Sequence, residues 1–202
     1  MKKSEKTKLR ILEATQDLIR EKGVEFASVR EIAKRASVNV ASINYYFSKK
    51  ENLMGEILIL LSDELFESLK EKLEKDLETI NIEDLGVKIY DVLKEKEGLH
   101  SNFKKMLFDS GIMSTERVKE RAIKGTLTPG HSFILDYLKE KESSLECERI
   151  SLHLWGLIDQ ALFLAYGAYG EVNGPLGHGH HYVRDSLAKS IQDFGKAFMK
   201  DQ

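Results

Sequence analysis

Proline is nearly missing, with 2 in a chain of 202 residues. Proline breaks helices, so its scarcity leaves long helices unopposed. Cysteine is rarer still. Cys147 stands alone, can form no internal disulfide, and reads as a small buried hydrophobe in a reducing compartment. Long apolar runs are also lacking. The most apolar stretch, "WGLIDQALFLAYGAYG", is interrupted by Asp159 and Gln160 and falls short of a membrane span. The basic start "MKKSEKTKLR" is followed by no apolar run, so no secretory signal is expected. Nor is there an HExxH, a G-x-S-x-G, a Walker loop or a G-x-G-x-x-G after a strand. Together these absences predict an all-α cytoplasmic protein, not an enzyme, with no cofactor and no membrane partner.

What is present is charge. Charged residues make up 32% and hydrophobic residues 42%, the balance of charge-faced helices around a core. The net charge of -2 hides a polarity. Residues 1–53 carry 12 Lys/Arg against 7 Asp/Glu, and the remainder 19 against 26. A basic head on an acidic body suggests that the head alone meets a polyanion.

Periodicity fills in the head. Ile11, Leu12, Thr15, Leu18 and Ile19 share one face of a first helix from about Ser4 to Lys22, which Gly23 stops. "SVRE" at 28–31 is a capping box opening a two-turn helix with Val29, Ile32, Ala33 and Ala36. "SVN" at 37–39 is a turn, and Asn39 an N-cap for a third helix. "SKKE" at 48–51 reads as another capping box, starting a long helix. Two short helices joined by a tight turn and buttressed by a longer one make a helix-turn-helix. If Ile43 and Phe47 pin the third helix against Ile32, then Val40, Ala41, Ser42, Asn44 and Tyr45 face outward. That short-side-chained face suits a DNA major groove. Lys49 and Lys50 sit at a helix start, a poor place for cations unless a phosphate lies there. With Ser28, Arg30 and Asn39 these residues are the candidate DNA contacts.

"SVREIAKRASVNVASINYYFSKKENL" at 28–53, with "ILEATQDLIREKGVEFAS" before it, resembles the N-terminal domain of the TetR family of bacterial transcriptional regulators. Two positions depart from the family. Ser37 stands where it usually has glycine, which implies a less left-handed turn, and Tyr45 where histidine is common. The resemblance implies a homodimer that binds palindromic double-stranded operator DNA through the third helix. It also implies a helical ligand-binding and dimerisation domain, so the domains are drawn at 1–53 and 54–202. The function expected is a repressor released by a small-molecule inducer.

The body reads as helix after helix. Ile82, Leu85, Ile89 and Leu93 mark one, and Leu99, Phe103, Met106 and Leu107 a shorter one. Residues 112–127 are ambiguous, and Pro129-Gly130 breaks the chain before "HSFILDYLKEK". From Cys147 to Gly170 the pattern is apolar nearly all round, predicting burial on both faces. The last helix carries Val183, Leu187, Ile191, Phe194 and Phe198. The resemblance makes these two helices a dimer interface, and monomer core is the plainer alternative. Candidate ligand contacts are Phe103, Leu107, Trp155, Asp159, Phe163 and Tyr166. Asp159 reads equally as a satisfied core or interface carboxylate. "GPLGHGHHY" at 174–182 reads as a glycine-rich surface connection. The alternative makes the protein a metal-responsive regulator through His178, His180 and His181. A helical enzyme without a recognisable motif is a third reading.

Overall fold

A computed structural model describes residues 3–141, 145–166 and 179–198, and no strand occurs among them. Helix α1 (Lys3–Lys22) buries Ile11, Ala14, Thr15, Leu18 and Ile19 and leaves Leu12 half-buried. Gly23 ends it at φ +97, where only glycine is at ease. A 3-10 turn at Val24–Phe26 leads to α2 (Val29–Arg35), then α3 (Val40–Phe47) and the long α4 (Lys50–Leu73). Next come α5 (Ile82–Glu95), α6 (Glu97–Leu107), the single turn α7 (Ser110–Met113) and α8 (Glu116–Ile123). Helices α9 (Pro129–Lys141), α10 (Leu145–Tyr166) and α11 (Gly179–Phe198) complete the described chain.

The chain forms two compact units. The first takes Met1–Glu64 together with Gly98–Leu127; the second takes Leu65–Glu97 together with Thr128–Gln202. Packing therefore does not divide the chain at residue 53, because residues 98–127 return to the head. The bonds that hold them there are specific. Ser62 Oγ donates to Leu127 O at 2.8 Å, and Arg117 and Arg121 pair with Glu56 and Asp63 on α4. Thr115 comes so close to Gly55 that a methyl there would lie 2.7 Å from its Oγ1.

In the second unit α10 packs on α5, α9 and α11. Leu85, Ile89, Leu93, Leu154, Ile158, Leu162, Leu187 and Ile191 are buried, each at most 4% exposed. Arg184 holds Asp91 through a bidentate pair at 2.8 Å. Two expectations need correction. Pro129-Gly130 does not stand before the helix but opens it; Pro129 occupies the first position of α9, where its missing N–H costs nothing, and Ser132 N donates to Thr128 O at 2.9 Å. And α10 is not buried all round in the single chain. Leu152, His153, Gly156 and Gln160 are exposed along one face.

Candidate nucleic-acid interface

Local chemistry builds the reading head. Ser28 Oγ accepts from Glu31 N at 3.2 Å and starts α2; the return half of the capping box is not made, since Ser28 N donates to Phe26 O. Arg35 on α2 chelates Glu21 on α1, one arm at 2.7 Å. That hydrogen bond holds the Glu21 carboxyl below its ordinary pKa and raises that of Arg35. Arg35 is thus internal glue, not a candidate contact. The α2–α3 turn is left-handed after all: Ser37 has φ +51 without being glycine. Its amide donates to Lys34 O and that of Val38 to Ala33 O, so turn hydrogen bonds hold the conformation.

Asn39 Oδ1 accepts from Ala41 N at 2.9 Å and caps α3. That oxygen already carries one hydrogen bond, so any contact by Asn39 with DNA uses its Nδ2 or the oxygen's second lone pair. Ile43 and Phe47 are 0% and 4% exposed, whereas Val40, Ala41, Asn44 and Tyr45 are open to solvent. Tyr45 is the most open at 79%, with its ring edge-on to Tyr46 at 5.0 Å. Ser42, expected outward, is half-buried. Arg30 is exposed on α2.

The α3–α4 junction differs from its reading as a capping box. Ser48 sits at φ +65, ψ −49 and closes α3, its N–H donating to Asn44 O at 2.8 Å. Lys49 N bonds back to Phe47 O at 2.8 Å, a γ-turn of the rare positive-φ kind. Asn52 Nδ2 reaches the same carbonyl at 2.9 Å. This knot delivers Lys49, exposed, and Lys50, half-buried, to the start of α4. One more cation lies beside α3. Lys8 Nζ lies 5.5 Å from the Phe47 ring centroid. Its helical register three residues before Ile11 was the only signal in the sequence.

The candidate ligand contacts are not gathered in this way. Phe103 is fully buried and Leu107 half-buried in the first unit; Trp155 and Asp159 are half-buried in the second. The side chains of Phe163 and Tyr166 lie outside the described set. A cavity of about 460 Å³ in the second unit is lined by Phe66, Leu77, Phe133 and Tyr137, with Lys70, Asp136, Lys139 and Glu140 at its polar parts. None of the four expected contacts with described side chains lines it. His178 lies outside the described residues, and His180 and His181 fall in the first turn of α11. Among the described residues no group of His, Cys, Asp and Glu could hold a metal, and no helix is long and apolar enough to cross a membrane.

A capped, tight-turned helix-turn-helix continued by a long helix into a helical body defines a class, and comparison with known proteins agrees. Residues 11–57 match the model of the bacterial regulatory proteins, tetR family. Residues 11–57 therefore carry the N-terminal domain of the TetR family. It is 34% identical over 129 residues to the probable HTH-type transcriptional regulator YttP of Bacillus subtilis (strain 168). That match covers 58% of this chain and 60% of YttP, so the similarity stops short of two thirds of the relative. Over most of its length the chain shares the fold of a transcriptional regulator from Rhodococcus sp. Rha1, with a TM-score of 0.63 at 20% identity, covering 92% of this chain and 94% of that one. FadR of Thermus thermophilus, a TetR-family repressor solved with lauroyl-CoA, gives 0.61 at 20% identity, covering 92% and 91%.

Proposed function

We propose that this protein is a transcriptional repressor that binds a palindromic operator as a homodimer and releases it on binding a small-molecule inducer. The observation that carries the reading is the division of α3: Ile43 and Phe47 inside, Asn44 and Tyr45 outside, with Lys49 and Lys50 immediately after. Ser28, Arg30, Asn39, Val40, Ala41 and Ser42 complete the proposed interface. Hydrogen-bonding tips on a short-side-chained helix reach base edges, and cations at its borders meet phosphates. Functionally the head is residues 1–53 and the regulatory body 54–202, although 98–127 pack with the head.

The exposed stripe of α10, with Leu152 61% open, supports pairing with a second copy through α10 and α11. Two heads then read half-sites about 34–36 Å apart. The helical likeness to FadR, which was solved with lauroyl-CoA, supports a small-molecule effector held in the body. The candidate residues are Phe103, Leu107, Trp155, Asp159, Phe163 and Tyr166, and the aromatic cavity by Phe133 is a second place to look.

The experiment is selection of duplex DNA from a random pool, followed by titration with the enriched sequence and sedimentation of the complex. The proposed reading expects an inverted repeat bound by two chains. Enrichment of no sequence, or binding that ignores sequence, sinks it.

A further inference from the structure

The elbow between α1 and α2 carries a bond that the helix-turn-helix does not supply itself. Gly23 turns the chain out of α1 at φ +97, and its N–H closes the helix on Ile19 O at 2.8 Å. The next amide, Val24, has left the helical path and needs an acceptor. It finds one 78 residues away: Val24 N donates to Asn102 Oδ1 on α6 at 3.0 Å. The Nδ2 of the same side chain donates to Gly98 O on its own helix at 2.9 Å and makes a longer contact of 3.4 Å with Ile19 O. One amide thus offers an acceptor to the elbow and a donor to the end of α1, which neither a carboxylate nor an aliphatic group can do.

The rest of that α6 face supports the bond. Phe103 and Met106 are buried at 0% and 1%, and Lys105 pairs with Glu25, the residue after Val24. The Lys105 hydrogen bond holds the Glu25 carboxyl below its ordinary pKa. Both partners are half-exposed, so the ion pair alone is weak. The buried face and the amide bond make the attachment specific.

We infer that Asn102 is a positioning residue for the DNA-reading head. It fastens α6 to the α1–α2 elbow, so a displacement of α6 reaches the helix-turn-helix through Val24. The inference rests on the head reading DNA as a pair. Pairing makes a specific demand: a full operator requires both heads at fixed separation, whereas one half-site requires only that a head be folded.

The test compares full-length wild type with Asn102→Leu, which keeps the volume and removes donor and acceptor. Duplexes carrying the selected full operator and one half-site are titrated, and thermal unfolding is recorded. The expected result is a loss of about tenfold on the full operator, within the usual range of coupling between sites, with half-site affinity and melting unchanged. Hydrogen exchange should quicken at the Val24 amide. Equal losses on both duplexes, or none on either, overturn the inference. If Asn102→Leu does not fold, Lys105→Gln, a half-exposed change, should show the same selective loss at about threefold; loss on both duplexes or on neither is again the refutation. A wild type that selects no DNA sinks the regulator reading and this role with it. Val24 exchange that Asn102→Leu leaves unchanged removes the clasp alone.

Discussion

The indole of Trp155 on α10 lies where a side chain on Gly130 of α9 would have to be. A methyl built on Gly130 would overlap Cζ3, Cε3 and Cη2 of the ring. Glycine at this position is a packing requirement, since backbone and aromatic ring meet with no room for Cβ. Gly130→Ala should therefore cost about 1–3 kcal/mol through overpacking. Trp155 is the sole tryptophan, so its emission reports the site directly. Urea unfolding with the native spectrum shifted is the expected outcome; an unchanged midpoint means the ring has another place to go.

The two faces of α3 should separate cleanly in mutagenesis. Ile43→Ala removes a fully buried side chain and should cost about 2–5 kcal/mol. Asn44→Ala and Tyr45→Ala touch exposed positions and should leave the melting temperature nearly unchanged while weakening operator binding. Calorimetry beside a gel shift decides it. Should the latter pair melt the protein and spare DNA affinity, the helix is facing the other way.

Salt should weaken binding steeply if Lys8, Arg30, Lys49 and Lys50 meet phosphates. With about 6–10 phosphate contacts per dimer, affinity should fall about 10³–10⁵-fold between 50 and 200 mM salt. Lys50→Ala should lower affinity for all sequences alike and flatten the log–log slope by about one per subunit. A slope that does not move takes Lys50 out of the interface.

Acid should act on the second unit through His131. Its Nε2 lies 3.1 Å from Ser151 Oγ, which itself donates to Glu148 O at 3.0 Å. Neutral imidazole then donates through Nε2–H to the hydroxyl. Burial pushes the His131 pKa below its ordinary value of 6.5, outweighing the charge of Glu148, which raises it; Lys139 adds a smaller lowering. Between 6.5 and the folded-state pKa the unfolded chain binds the proton more readily, so stability falls as pH drops through that window. His131→Gln should flatten this limb of the urea midpoint between pH 7.5 and 5.5. The carboxylates of Glu21 and Glu25, held below 4.5, lose their contribution at lower pH and form a separate limb. Identical slopes in wild type and variant exclude His131 as the source.

How far the fold could be read from sequence depended on the range of each interaction. Ser28 and Asn39 cap the helices they were expected to cap, because a cap bonds an amide two or three residues away. The stripe of Ile11, Thr15, Leu18 and Ile19 is buried as its spacing required. Errors arose where one local pattern fitted two boundaries. Ser48 begins a capping-box string and still closes α3, because the γ-turn and the Asn52 bond to Phe47 O set the junction. The ambiguous residues 112–127 became α7 and α8 through Asp109, whose Oδ1 accepts from Gly111 N and Ile112 N at 2.9 and 3.0 Å. The solvent-facing residues of α3 followed from the same local spacing, Ser42 excepted. An apolar stripe, by contrast, specifies burial but not against which partner.

By itself the sequence determined an all-helical chain with a basic head, the three helices of that head, and which side of α3 looks outward. Each comes from spacing, capping and charge within a few residues. Only the tertiary structure decided which elements distant in sequence pack together. Asn102 meets Val24 across 78 residues, Arg117 meets Glu56 across 61, and the Trp155 ring lies on Gly130. Such pairings depend on how helices distant in sequence come to lie together. No local propensity encodes that, because the free energy deciding it is gained only when both faces lose their water at once.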